Sequence, residues 1–491
     1  MGLFVSAAKS LLVVATSSHA GKSLICTALC RIFKRRGYQV TPFKGQNMAL
    51  NAYVGIDGGE IGYAQAVQAW AAGVEPSAWI NPILLKPQGN MTSQVVMKGQ
   101  AVATVSAQDY YKKYFDPGWQ AVVEALDYLQ RQYDVIVMEG AGSPAEVNLK
   151  HRDLSNMRLA THLNCPAILV ADIDRGGALA HVVGTLQLLD PEERALVKGL
   201  VINKFRGSLD LLQPGLDWLE EYTGIPVVGV IPWFESALPA EDSVSLLDTR
   251  ASKREAELEI TVMRYPRISN FTDFDALEAE SSVRVRYVPM QGALGSPDAV
   301  ILPGSKATIS DLEALKTSGL ARQLQDFARA GGTVLGICGG WQMLGQKIQD
   351  IEGLEGMPGI FEGLNVIPMD TVFEGKKITR QVQTETLEGD PIEGYEIHQG
   401  RSSFHTPVES LFVEAVLGAK VGNITGTYLH GLLDNHAWRR TWLNSMRSRK
   451  NLMPLPPLSG HYRTERDALF DELAVLVETH LDIHQLESWW I

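Results

Sequence analysis

The stretch Val334-Leu335-Gly336-Ile337-Cys338-Gly339-Gly340-Trp341-Gln342-Met343-Leu344 decides how the chain is read. An apolar run of strand character stops at a Gly-x-Cys-x-Gly turn and passes into a run of helical character. This is a strand-turn-helix elbow with cysteine at its tip. Small flanking residues permit a tight, strained turn that pushes the sulfur out of the sheet edge. The N-terminus of the following helix favours the thiolate. A general base is offered by Gly426-Thr427-Tyr428-Leu429-His430-Gly431, a strand-like run ending in histidine. It is distant in the chain, yet a strand end can bring His430 beside Cys338 as a Cys-His pair. A lone cysteine reads equally as a small buried hydrophobe, and a lone histidine as a satisfied core group. The flanking glycines and the pairing favour chemistry.

Outward from this elbow, strand patterns at 258–262, 283–288, 299–302 and 333–337 give the second half an α/β character. The first half alternates strand-like runs at 11–15, 39–43, 134–138, 167–171, 199–202 and 227–231 with helical patterns such as 23–36 and 61–72. Those strands are apolar almost throughout, which suits a parallel sheet covered on both faces. The expected class is α/β, with a doubly wound N-terminal domain. A polar stretch at 234–257, with Pro239 and Glu241-Asp242, reads as a linker. The implied domains are 1–233, the linker, and 258–491. The last contains a proline-rich run at 452–457 and a closing amphipathic helix near 464–481.

Length and composition agree with this division: 491 residues exceed one ordinary core. The net charge of −12 comes with no basic stripe, which argues against nucleic-acid binding. The four cysteines (Cys26, Cys30, Cys165 and Cys338) show no paired spacing, so a reduced, cytoplasmic protein is expected, with Cys26 and Cys30 in the core rather than on a metal. The N-terminal run is too short for a signal peptide and leads directly into a phosphate-loop candidate, so it reads as a strand. No run is long enough to span a bilayer, so no membrane role is expected.

That candidate is Ala15-Thr16-Ser17-Ser18-His19-Ala20-Gly21-Lys22-Ser23. Gly21-Lys22-Ser23 is a P-loop ending: backbone N–H groups at a helix start cradle phosphates, Lys22 neutralises the terminal ones, and Ser23 ligates Mg2+. The match is partial, because the pattern's leading glycine is missing. Glu139, at the end of the strand at 134–138, stands where a second Mg2+ ligand belongs. Asp57 and Glu60 lie on a glycine-rich loop. Asp172, Asp174 and Arg175 follow another predicted strand end and are candidates for substrate binding. A thiol nucleophile with a base attacks amides. A P-loop with Mg2+ passes a phosphoryl group to an oxygen such as a carboxylate. Together they suggest glutamine-dependent amidation, in which ammonia freed at Cys338 displaces phosphate from an acyl phosphate made with ATP.

Gly45-Gln46-Asn47-Met48-Ala49-Leu50-Asn51, Asp57-Gly58-Gly59-Glu60-Ile61-Gly62, Asn81-Pro82-Ile83-Leu84-Leu85-Lys86-Pro87, Glu139-Gly140-Ala141-Gly142-Ser143-Pro144-Ala145-Glu146, Asp172-Ile173-Asp174-Arg175-Gly176-Gly177, Asn203-Lys204-Phe205-Arg206-Gly207, Leu302-Pro303-Gly304-Ser305-Lys306 and Tyr395-Glu396-Ile397-His398 resemble the cobyric acid synthase family over nearly the whole chain. The resemblance implies glutamine- and ATP-Mg-dependent amidation of the b, d, e and g carboxylates of a corrinoid, adenosylcobyrinic acid a,c-diamide. It implies a dethiobiotin-synthetase-like first half and a class I glutamine amidotransferase second half. By its motifs Cys338 is the nucleophile and His430 its base, while Gly304, Ser305 and the N–H of Gly339 form the oxyanion hole. Gly21, Lys22, Ser23, Glu139 and Asp57 or Glu60 match nucleotide and metal positions. Lys44 contacts the transferring phosphate, and Asn203 reads adenine. Two positions depart from the usual pattern: Ala15 replaces a glycine, and Leu432 stands where many amidotransferases carry a glutamate. The orienter of His430 is thereby left open, with Glu396 and His398 as candidates. The rival readings are cobyrinic acid a,c-diamide synthase and a regulatory P-loop ATPase with an inactive amidotransferase module. The oligomeric state is not set by the sequence.

Overall fold

The structure is a computed structural model that describes residues 8–89, 91–234 and 256–490. Its first half is built on a six-stranded sheet in the order Val227–Pro232, Val197–Phe205, Ala167–Asp172, Lys9–Ala15, Val135–Glu139, Val40–Phe43. Every neighbouring pair is parallel. The expected strands are all present, most of them a residue or more longer. Parallel pairing puts all the strand C-termini on one edge. Ala15, Glu139 and Asp172 therefore end together, with Asn203 near the end of its own strand and Lys44 just beyond Phe43. The helix Lys22–Arg35 starts from that edge.

One expected element is divided. Residues 61–72 read as one helix, but Glu60–Gly62 form a strand against Ala52–Val54 and the helix is Tyr63–Ala72. Nearby, the hairpin strands Ile83–Gly89, Thr92–Met97 and Gln100–Ser106 form a separate antiparallel sheet that Gln46–Met48 joins in parallel.

The second half has a seven-stranded sheet in the order Val283–Pro289, Leu258–Arg264, Ala299–Leu302, Thr333–Ile337, Ile424–Thr427, Gly418–Val421, Glu409–Ser410. The strand leading to Cys338 is thus interior, flanked by Ala299–Leu302 and Ile424–Thr427. A long antiparallel hairpin, Met369–Glu385 with Pro391–Phe404, lies outside the strands the sequence pattern predicts. Its second strand pairs with Leu429–His430.

The closing helix of the expected second domain packs on the first half. Tyr462–His480 lies against the helix Lys22–Arg35, and its buried Phe470, Leu473, Ala474 and Val477 belong to the core of the first half. Arg31 donates to Asp467 and Asp471, and Arg36 to Glu478 and Glu487. Trp490 packs on Phe33 with ring centroids 5.2 Å apart. The physical reason is the unmatched apolar face of the first helix. Each large apolar side chain buried there contributes about 1.5–3 kcal/mol, so Tyr462–His480 covers a partner far away in sequence. The expected linker at 234–257 lies mostly outside the described residues.

Candidate active site

The elbow forms as expected. Cys338 adopts φ 50° and ψ −110°, a strained left-handed conformation for a side-chain-bearing residue. Its N–H donates to Thr427 O at 2.8 Å, which locks the turn to the neighbouring strand. Gly340 is required by space, since a Cβ there would lie 2.0 Å from Leu302 O. The thiol donates to Ile397 O at 3.5 Å, and His430 lines the same pocket as the sulfur.

The orienter of His430 is neither of the expected residues. Asp273 Oδ2 lies 2.7 Å from His430 Nδ1, and both side chains are 2% exposed. Asp273 Oδ1 accepts the N–H of Gly431 at 2.9 Å, so both of its oxygens hold the His430 segment. Burial by itself would lower the affinity of His430 for a proton. The Asp273 carboxylate and, to a smaller extent, the Cys338 sulfur together outweigh this, and the imidazole is pushed up to about 10. Glu396 and His398 instead satisfy one another at 3.0 Å, and Arg380 donates to the other oxygen of Glu396 at 2.5 Å. The His398 ring stacks on Tyr428 at 3.8 Å. Asp273 lies on the short turn Phe271–Phe274, after Asn270 in the left-handed region at φ 53°. A turn-forming asparagine followed by an acid was visible in the sequence. Nothing linked it to a histidine 157 residues away.

The expected oxyanion residues gather here. Gly304–Ser305 pairs with Ile268–Ser269. A Cβ on Gly304 would lie 3.2 Å from His430 Cε1, and one on Gly339 would lie 3.0 Å from Ser305 N. The pocket over Cys338 and His430 is lined by Gln342, Lys306, Glu355 and Lys377, and by Lys86 and Gln94 of the first half. Burial, reinforced by the Lys377 charge, lowers Lys306 to about 8, and burial raises Glu355 to about 7.

Glu60, expected as a metal ligand, lies at this interface. Fully buried, it accepts from Lys86 at 2.6 Å and from Lys377 of the second half at 2.5 Å. Burial would raise its carboxyl, but the two lysines hold it well below the usual carboxylate range. Asp57 is likewise committed: it accepts the N–H of Gly59 at 3.0 Å and of Ala78 at 2.9 Å, shaping its own loop.

At the sheet edge of the first half, Ser23 Oγ donates to Glu139 Oε1 at 2.9 Å. Lys44 Nζ donates to the same oxygen at 2.8 Å, and Gln68 Nε2 to Oε2 at 2.5 Å. Lys22 reaches Gly142 O at 3.0 Å. Asn203 donates to Ala20 O at 2.8 Å, and a Cβ on Gly21, at φ 100°, would lie 2.1 Å from its Nδ2. The unusual dihedrals of the loop fall on His19 and Gly21, whereas Ala15 is an ordinary strand residue paired with Val170. The missing glycine therefore has no conformational consequence. Asp172 is braced by Lys204 at 2.8 Å, Arg175 at 3.6 Å and the N–H of Asp174 at 3.0 Å, leaving Asp174 and Arg175 exposed at the rim. Ser23 and Glu139 form a pair of hard oxygen donors of the kind that suits Mg2+, an ion that completes its shell with water and phosphate. Among the described residues no cluster of three or more His, Cys, Asp or Glu could hold a metal by itself, and no helix is long and apolar enough to cross a membrane.

Two sites of this kind in one chain have relatives. Residues 11–245 match the CobQ/CobB/MinD/ParA nucleotide binding domain, and residues 259–438 match the CobB/CobQ-like glutamine amidotransferase domain. The chain is 65% identical to a cobyric acid synthase of Gloeobacter violaceus, covering 96% of this chain and 97% of that protein. It is 60% identical to one of Synechococcus elongatus and 58% identical to one of Nostoc sp., in each case over 97% of this chain and 99% of the other. The chain belongs to the cobyric acid synthase family. As a member it is a glutamine-dependent amide ligase of cobalamin biosynthesis, with a nucleotide-binding first half that uses ATP and an amidotransferase second half.

Proposed function

We propose that the enzyme converts adenosylcobyrinic acid a,c-diamide to adenosylcobyric acid by amidating the b, d, e and g carboxylates in turn. Cys338 attacks the carboxamide carbon of glutamine, and the oxyanion that develops is received by the backbone at Gly304, Ser305 and Gly339. His430, held by Asp273, takes the thiol proton and returns it to the departing nitrogen, so the C–N bond breaks and ammonia leaves a thioester. Water then releases glutamate and restores the thiol. The cationic wall of Lys306, Lys377 and Lys86 suits the α-carboxylate of glutamine, and Glu355 suits its ammonium.

In the first half, the N–H groups of the loop and Lys22 would cradle the triphosphate of ATP, with Asn203 beside the base. Ser23 and Glu139 would hold Mg2+, which neutralises charge on the phosphates when bound. Lys44, seated beside Glu139, faces the phosphoryl group in flight. A substrate carboxylate oxygen takes that group as ADP departs, ammonia adds to the acyl carbon and gives up a proton, and inorganic phosphate leaves. Asp174 and Arg175, exposed at the same edge, are the remaining candidates for contact with the corrinoid.

The observation that carries this reading is the coexistence of the Cys338–His430–Asp273 constellation with the Lys22–Ser23–Glu139–Lys44 cluster in one folded chain. The product series formed from adenosylcobyrinic acid a,c-diamide, glutamine and ATP, followed by mass spectrometry, tests it. Successive exchanges of acid for amide are expected. Amidation confined to a less amidated corrinoid would favour the a,c-diamide synthase reaction. Cys338→Ala should end glutamine use while leaving amidation from added ammonia, and continued glutamine consumption by that variant would remove the nucleophile.

A further inference from the structure

We infer that Asn51, a residue of the nucleotide-binding half, is a positioning residue for His430 in the amidotransferase half. The inference rests on the glutaminase reading above. Asp273 can hold His430 only if the turn that carries it is itself held. The start of that turn is tied across the interface: Phe271 N–H donates to Asn51 Oδ1 at 3.1 Å, and Asn270 Nδ2 donates to Ala52 O at 2.9 Å. Tyr395 is tied to the same place. Its hydroxyl donates to Ala52 O at 3.1 Å and accepts from Asn270 Nδ2 at 3.0 Å. The Tyr395 ring in turn lies nearly parallel to the His430 ring, with centroids 5.4 Å apart and planes at 21°. The base is therefore gripped on two sides, by a carboxylate and by an aromatic face, and both grips are anchored on Asn51 and Ala52.

Burial gives these ties their weight. Asn51 is 1% exposed, Asn270 2%, Asp273 3% and Tyr395 4%. Solvent cannot replace a bond lost there, so a buried N–H left without its acceptor forces the turn to shift. The other end of the same short run of chain is Lys44, bonded to Glu139 beside the phosphate loop. Between them, Gln46–Met48 is held as a strand against Ile83–Gly89, the strand that carries Lys86 into the glutamine pocket. The half that makes the acyl phosphate thus also completes and braces the half that supplies ammonia.

The test uses the full chain with Asn51→Ala and, separately, Tyr395→Phe, which keeps the ring over His430 and removes only the hydroxyl tie. Glutamine hydrolysis, ammonia-dependent amidation, the pH profile of glutaminase activity and thermal stability are measured for each. For Asn51→Ala the glutaminase kcat should fall roughly tenfold to a hundredfold, as for other displacements of a reacting group by about an ångström. The glutamine KM should move by less than about twofold, because the pocket lysines are untouched. The alkaline limb of the profile should move to lower pH as Asp273 loosens its hold on His430. Ammonia-dependent amidation should match the parent enzyme. Tyr395→Phe should show the same pattern in smaller measure. Unchanged glutaminase kcat and an unmoved alkaline limb in Asn51→Ala would overturn the inference. If that variant loses both activities and melts early, Tyr395→Phe decides on the same readouts. Failure of the underlying reading is separate: the parent enzyme would then hydrolyse no glutamine, or Cys338→Ala would still do so.

Discussion

Replacing Asp273 by asparagine removes one charge at the centre of the amidotransferase site and little volume. The carboxylate lies 2.7 Å from His430 Nδ1, and both groups are closed to solvent. The imidazole is raised to about 10, against about 6.5 for a free side chain. At 1.36 kcal/mol per pH unit, that preference for the protonated ring amounts to about 4–5 kcal/mol. Asp273 supplies more of it than the Cys338 sulfur does. If most of the preference is expressed as the ring takes the thiol proton, Asp273→Asn should lower glutamine-dependent kcat/KM on the order of a thousandfold. Ammonia-dependent amidation should be unchanged, since the phosphate site keeps every contact. A pH effect on stability follows as well. A group whose folded pKa is raised contributes stability that is complete below its unfolded value, about 6.5, and is lost as pH rises through about 10. The stability gap between parent and variant in urea should therefore be widest near neutral-to-acid pH and close by about pH 10. Stopped assays with each nitrogen source, together with urea unfolding across that range, measure both effects. A loss of less than about tenfold in glutamine-dependent kcat/KM, or a stability gap that widens with pH, would refute the assignment of Asp273.

The remaining predictions concern other parts of the molecule. Lys22→Ala should stop amidation from glutamine and from ammonia alike, read as product formed with each nitrogen source. Glu60→Gln leaves Lys86 and Lys377 facing each other in a buried space, so it should destabilise the folded chain by about 3–5 kcal/mol in denaturant titration. Phe470→Ala opens a cavity under the terminal helix, where Phe470 is 1% exposed. The expected cost is about 3–5 kcal/mol, felt first as lost nucleotide binding, because Phe470 belongs to the core of the nucleotide-binding half.

Features legible in the sequence and features hidden from it differ in the chain distance between partners. The elbow at Cys338, the six parallel strands and the loop ending at Ser23 are each written in contiguous residues: apolar periodicity, a glycine where a Cβ would strike a neighbour, a helix start beside a phosphate cradle. Such signals need no knowledge of the rest of the fold, and the parallel order then forces Glu139, Asp172 and Lys44 to one edge. Glu60 marks the limit of such local signals. A glycine-rich acidic loop looks the same whether it faces Mg2+ or two lysines, and only the approach of Lys377 from the other half decides between them.

The sequence by itself determined the class of the two halves, the elbow at Cys338, the strand end at His430 and the loop ending at Ser23, because each is a local pattern whose meaning survives without its neighbours. The tertiary structure alone decided that Asp273 holds His430, that Asn51 braces the turn beneath it, that Glu60 bridges the halves, and that the last helix completes the first core. Those are pairings between residues far apart in the chain. Their partners are selected by which buried polar group or apolar face would otherwise go unmatched, and that is a property of packing which no local spacing records.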